Sequence, residues 1–345
     1  MTMRWGPVAL ATGGVAVITV GTLLAIPLTQ PSARTSAAGS PAASVATGFS
    51  DIPDAPEPVG ASEPVGSAAA GLRSAAPSVS RAPRPGGRPG PGNTGAIPGV
   101  GLTVVNGDQR YGTDGKIVEN VDIHGYVLIT GKRVVLRNAV VRGGPAKCGA
   151  VVQIAAGASA VLEDVEIAPA ATGPCLDGIW ATAASLTRLN VHGGVNGVKA
   201  TGPDVLLQDS WVHDSAYFAS GAPGGGETET DAVEDVGQRR VTLRHNALSV
   251  GAHGNAAYQV RQTGGGSASE QRIEGNWLDG GGCTLNFSHG GGPPLAMIAV
   301  VNNRFGRASS YACPILVSTR TVLTELSGNV FDDNGAPIPA PSRHD

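Results

Sequence analysis

Leu243-Arg-His-Asn-Ala-Leu248, Ile273-Glu-Gly-Asn-Trp-Leu278, Val300-Val-Asn-Asn-Arg-Phe305 and Leu326-Ser-Gly-Asn-Val-Phe331 are four copies of one six-residue phrase. Each opens on an aliphatic residue, passes through four mostly polar or small residues, and closes on a second apolar one. Towards the amino terminus the phrase recurs as Val118/Ile123, Leu136/Val141, Leu162/Ile167, Leu186/Val191 and Leu207/Val212, making nine copies at a mean spacing of 26 residues. Most units add a short β-prone run, such as Tyr126-Val-Leu-Ile, Val151-Val-Gln-Ile, Gly178-Ile-Trp-Ala or Pro314-Ile-Leu-Val. These runs are too short for helices and are bounded by Gly, Asn and Asp, so they read as strands between turns. A unit this small cannot bury its apolar face alone, but stacked on a copy of itself it can. The architecture that fits is all-β, a parallel β-helix of about nine coils.

An Asn or Asp precedes the second apolar residue of every phrase: Asn120, Asn138, Asp164, Asn190, Asp209, Asn246, Asn276, Asn303 and Asn329. These side chains bond to nearby backbone at bends and tolerate left-handed dihedrals, so a structural role is expected, with coil-to-coil bonding where they stack. The cysteines obey the same period. Cys148 and Cys175 are 27 residues apart, and Cys283 and Cys313 are 30 apart. One repeat length places two side chains one above the other, as a disulfide requires; free buried cysteines are the alternative. Two disulfides imply an oxidising compartment.

Composition agrees with a turn-rich solenoid. Of 345 residues 51 are glycine and 25 proline, while aromatics make up only 4%, too glycine-rich for an ordinary helical or α/β protein. The formal net charge is -3, and no basic block recommends a nucleic-acid partner. No Cys/His cluster suggests zinc. The glycine runs at 224–226, 264–266 and 290–292 lack the lysine and helix start of a phosphate loop.

The chain opens Met1-Thr-Met-Arg-Trp and then carries no charge from Gly6 to Ser32. Residues 1–35 therefore read as a cleaved signal peptide or a retained signal-anchor, with membrane anchoring through residues 6–28 in the second case. Either way the remainder is expected outside the cytoplasm, secreted or at the cell surface, and monomeric. Residues 36–97, dominated by Ala, Pro, Ser and Gly, have little to bury and read as a disordered linker. Residues 98–336 form the β-helix domain and 337–345 a short polar tail expected to fray. No amphipathic helix is visible to cap the first coil.

Several stretches carry a family resemblance: Asn120-Val-Asp-Ile-His-Gly, Leu207-Gln-Asp-Ser-Trp-Val-His-Asp, Thr230-Asp-Ala-Val-Glu, Val241-Thr-Leu-Arg-His-Asn, Ile273-Glu-Gly-Asn-Trp-Leu-Asp-Gly-Gly and Asn303-Arg-Phe-Gly. The chain resembles right-handed parallel β-helix proteins of the pectate-lyase-like, polysaccharide-lyase-like superfamily, in their secreted bacterial form, from about Gly99 to Gly335. The resemblance implies a carbohydrate-active protein acting by β-elimination on an extended, uronate-containing polysaccharide, with calcium or a basic side chain stabilising the enolate-like charge. The same fold carries hydrolases, epimerases and non-catalytic adhesins or glycan binders, and these remain alternatives. The sequence has no clear counterpart of the paired aspartates of polygalacturonase-like hydrolases, nor of the calcium cluster and catalytic arginine of pectate lyases.

Three strand starts, Asp177-Gly-Ile-Trp, Asn196-Gly-Val-Lys and Asp231-Ala-Val-Glu, align. The alignment predicts one row of Asp177, Asn196 and Asp231 and another of Trp180, Lys199 and Glu234, with Gln153 before and Tyr258 after. Asp177 and Trp180 are three apart, so sharing a groove requires a turn between them. Lys199 is one of four lysines; it would neutralise a uronate carboxylate, act as a base if desolvation lowered its pKa, or serve as an ordinary surface lysine. His213-Asp214 precedes the longest insertion, Phe218 to Thr230, and function is often grafted onto such loops. His192 and His213 follow Val191 and Val212, which places them one coil apart, roughly 5 Å. The candidate catalytic residues are Lys199, His213 and Asp231; Asp177, Trp180, His192, Asp214, Glu234 and Tyr258 are candidate substrate contacts. An enzyme predicts that Lys199, His213 and Asp231 converge within hydrogen-bond reach. A glycan binder predicts aromatic platforms, with Trp211 and Trp277 as candidates, without such a cluster.

Overall fold

The nine phrases become nine rungs. In the computed structural model, which describes residues 87–262, 268–288 and 292–344, the first apolar residues run in one unbroken register. Val118 lies beside Leu136, then Leu162, Leu186, Leu207, Leu243, Ile273, Val300 and Leu326. The second residues form another column, from Ile123 through Val141, Ile167, Val191, Val212, Leu248, Leu278 and Phe305 to Phe331. All but the terminal members are buried. Withdrawing one such side chain from water contributes on the order of 1.5–3 kcal/mol, against a net value of about 1 kcal/mol for a hydrogen bond. Stacked apolar columns, more than the ladders between strands, hold the coils together.

The described residues contain no helix. All strand pairs are parallel, and they form a ten-stranded and a sixteen-stranded sheet. The ten-stranded sheet runs from Gln109–Tyr111 through Val127–Ile129, Gly149–Ile154, Leu176–Ala181, Val198–Ala200, Asp231–Asp235, Ala256–Arg261, Cys283–Ser288 and Cys313–Val317 to Ser342–Arg343. In the sixteen-stranded sheet each coil bends once. In the early coils the bend lies inside single long strands, Ile117–His124, Val134–Val141 and Ala160–Ile167; later coils split into two short strands, such as Val241–Arg244 and Ala247–Ser249. The architecture is thus the parallel β-helix expected.

A left-handed residue makes each bend: Asn120, Asn138, Asp164, Arg188, Asp209, His245, Gly275, Asn302 and Gly328, with φ between 47° and 67°. The expected Asn/Asp series therefore divides between different positions. Asn120, Asn138, Asp164 and Asp209 are the bend itself, where a short polar side chain tolerates φ > 0. Asn246, Asn276, Asn303 and Asn329 sit one residue later, point inward and form a ladder. The Asn276 side-chain oxygen accepts from the Asn246 backbone N–H at 2.8 Å, and Asn303 and Asn329 repeat the contact at 2.9 and 3.0 Å. Ser210 continues the ladder upward, donating its N–H to Asn246 and accepting from Leu189. Asn190 lies a further residue on, paired with Glu166 and Trp211, outside the ladder.

Both disulfides form as expected, Cys148–Cys175 and Cys283–Cys313, each with Cα atoms 4.7 Å apart. The carboxyl-terminal tail is paired with the last coil. Phe331 N–H donates to Ala336, Ile338 N–H donates to Asn329, and Ser342–Arg343 adds the last strand of the ten-stranded sheet. Residues before the first coil also pack: Gly95 N–H donates to Arg188 and Ile97 N–H to the Asn138 side chain, so this segment lies along the column of bends. The amino-terminal apolar stretch, the linker before residue 87, the glycine run at 264–266 and His289 fall outside the described residues.

Candidate functional site

The three aligned strand starts occupy consecutive coils of the ten-stranded sheet, with Trp180 beside Lys199 and Lys199 beside Glu234. Within each start the two middle residues face the core. Ile179, Val198 and Val233 are buried, and a Cβ on Gly178 or Gly197 would collide with Val191 or Val212 and with the neighbouring backbone. Two successive inward positions turn a corner in the strand. Asp177 and Trp180, three apart, therefore share the outer face, and the indole Nε1–H donates to Asp177 Oδ2 at 2.7 Å.

Lys199 Nζ stands between two carboxylates, 3.1 Å from Asp177 Oδ2 and 2.8 Å from Glu234 Oε2. Asn196 ties the same group together. Its amide donates to Asp177 and Glu234, each at 3.1 Å, and its oxygen accepts from the Asp231 N–H at 2.9 Å. Burial works against the Lys199 charge, but Asp177 and Glu234 outweigh it and hold the ammonium above its ordinary range. The condition for a lysine base, a lowered pKa, is not met. With 23% of its side chain exposed, Lys199 is the member of this trio most open to a ligand.

Asp231 is 1% exposed. Its carboxylate receives Asn255 Nδ2 at 3.1 Å, and burial together with the charge of Glu234 pushes its pKa well up. Its carboxyl is withdrawn from the surface of the row. Tyr258 is not in the outer row. It is fully buried, its hydroxyl donating to Gln271 at 2.6 Å with Asp235 a second, longer partner at 3.3 Å. The residue beside Glu234 is Gln259, one position on, because Ala256-Ala-Tyr-Gln repeats the small, inward, inward, outward order of Asp231-Ala-Val-Glu. The full outer row is Gln153, Trp180, Lys199, Glu234, Gln259 and Asn286, ended by Leu128 and Leu316.

His192 and His213 form a second group, on the sixteen-stranded sheet. Their ring centroids are 5.2 Å apart, as the register predicts, and Trp211 stacks on His213 at 3.4 Å. His213 Nδ1 faces Asp214 Oδ2 at 2.8 Å and Nε2 faces the Asn190 amide at 2.9 Å. Burial lowers the His213 pKa, outweighing the opposite pull of Asp214. His192 Nε2 lies 3.4 Å from Glu166, and this bond holds the Glu166 carboxyl below its usual range despite burial. Trp277 occupies the same column two coils along and meets His245 edge-on. Lys199 and Asp231 belong to the ten-stranded sheet and His213 follows a strand of the sixteen-stranded sheet, and among the described residues no hydrogen bond joins His213 to either.

The insertion after His213 closes on itself through paired bonds between Phe218 and Thr228, at 2.9 and 3.0 Å. Tyr217 binds Glu227 at 2.6 Å and stacks on His253 at 4.4 Å. The donor set does not fit calcium. Among the described residues no group of three or more His, Cys, Asp or Glu side chains is arranged to hold a metal, and the Lys199 ammonium already fills the place between Asp177 and Glu234 that a cation would take.

The residues that sequence reasoning missed are Gln259, Asn255, Glu166 and the bridging role of Asn196. Only Gln259 left a signal, the recurring strand start. Set against protein-family models, curated proteins and solved structures, the chain matches none.

Proposed function

We propose that this is an exported polysaccharide-binding β-helix whose ligand lies along the outer row of the ten-stranded sheet. The observation that carries the reading is the row itself. Six consecutive coils present Gln153, Trp180, Lys199, Glu234, Gln259 and Asn286 in register. At roughly 4.8 Å per coil the row is about 24 Å long, a straight track for an extended polymer. Trp180 offers a ring for stacking and its neighbours offer donors and acceptors for hydroxyls, the mixture of flat apolar surface and directed polar groups that binding sites use. Two disulfides support export to an oxidising compartment.

Uronate β-elimination, expected from the resemblance, asks for a base and an uncommitted cation at one point. Lys199 is committed to Asp177 and Glu234, and His213 to Asp214 and Asn190, which favours binding over elimination. A second reading, glycoside hydrolysis on the same row, is favoured by one feature, two carboxylates on adjacent sides of Lys199 at the same outer face. A panel of soluble polysaccharides separates the three. The expected outcome is retention on at least one polymer, weakened about tenfold or more by W180A, with neither unsaturated nor new reducing ends released. Unsaturated products would establish the lyase, new reducing ends lost in E234Q the hydrolase, and binding indifferent to W180A would remove the row as the site.

A further inference from the structure

We propose that the outer row takes a glycan without carboxylates, uncharged or amino-bearing, and discriminates against uronates. The inference rests on the polysaccharide reading above and specifies its ligand. Its basis is the charge balance around Lys199. One ammonium serves two carboxylates, Asp177 at 3.1 Å and Glu234 at 2.8 Å. Both acids are largely withdrawn from water, with 6% and 11% of their side chains exposed. A uronate would have to share Lys199 with these partners through its third N–H, at an ammonium already outnumbered by acid, and drawing it further away would leave a largely buried carboxylate unpaired, which is strongly destabilising.

Asp177, Glu234 and Lys199 together leave one negative charge in excess. Asp231 does not add to it, because burial and the charge of Glu234 push its pKa well up and favour the neutral acid. A sugar hydroxyl meets this arrangement without conflict, since it donates to a carboxylate oxygen and accepts from the ammonium or from the Asn286 amide. A protonated amino group is drawn to the surplus of acid. A uronate carboxylate competes with Asp177 and Glu234 for Lys199 and meets their repulsion.

Titration of the full chain with glucosamine, N-acetylglucosamine and galacturonate oligomers of equal length tests the proposal at low and high salt. The expected result is that galacturonate binds about tenfold more weakly than the better of the other two, the scale of one unit charge at several ångströms in a partly screened site. The gap should narrow as salt rises, a readout that needs no variant. E234Q should narrow it further. Galacturonate binding as well as or better than both others would overturn the inference and leave the polysaccharide reading standing. If neither these oligomers nor any polymer of the wider panel binds, the polysaccharide reading itself fails.

Discussion

Asp235 ends the strand Asp231–Asp235 with its carboxylate inside the coil, fully buried. It accepts from the N–H groups of Gly237 and Gln238, at 3.0 and 2.6 Å, and from the Tyr258 hydroxyl. Burial outweighs these bonds and pushes its pKa up to about 7. The folded state then holds the proton more tightly than the unfolded chain, so stability is full below the unfolded value near 4 and falls as pH rises through 7. The whole cost is on the order of 4 kcal/mol. D235N keeps the acceptor without the charge, and urea melts at pH 5 and pH 8 should show it losing clearly less stability than the parent, the remaining fall belonging to Asp231, whose pKa is also pushed up. An equal loss in both would mean that another group titrates. At this scale much of the candidate site was legible. The rarity of Lys199 and its alignment with Trp180 and Glu234 were in the sequence, whereas the sign of its pKa shift was not, because that depends on which carboxylates the fold places around the ammonium.

Among the elements, the Asn ladder is the one whose loss should be felt most sharply. Asn276 receives two bonds from Asn246 and donates to Leu243 and Asn303, all in a fully buried setting. N276A would leave the Asn246 N–H without a partner and take one bond from the Leu243 carbonyl, the unmet donor costing about 1–3 kcal/mol. A loss near 3 kcal/mol is expected in chemical denaturation, against less than half of that for N120A, whose residue bonds at the outer bend of the first full coil. Similar costs for the two would mean that the ladder contributes no more than the bend. Asparagines stand at both places in the sequence with nothing to separate the two roles. Inward and outward differ there by a single residue, and only the backbone decides which residue takes the left-handed dihedral.

For the whole molecule, stability is a sum of rungs and their interfaces, so the ends should open before the middle. The last rung shows why. Leu326 belongs to the core column yet is 42% exposed, and Val322 is 67% exposed, because no further coil covers them. Amide exchange should be slowest across the coils of Leu162, Leu186 and Leu207 and fastest from Leu323 to Ser327, with Cys283–Cys313 delaying the spread of opening inward. Reduction should speed exchange near Cys313–Val317 while leaving the central coils unchanged. Uniform protection along the chain would show one cooperative block instead.

The sequence by itself determined the coil. The nine apolar pairs, the cysteine spacing and the rough site of the bends all follow from a period, and a period survives in the order of residues because every coil must meet its neighbour at the same offset. Tertiary structure decided what faces outward. Whether Tyr258 or Gln259 joins the row, whether Asp177 and Trp180 share a face, and whether His213 meets Lys199 depend on corners one residue wide. At Gly178 and Gly197 the first of two successive inward positions lies so close to Val191 and Val212 that only glycine fits. A contact across the coil sets that corner, and linear order does not record which residues will meet there.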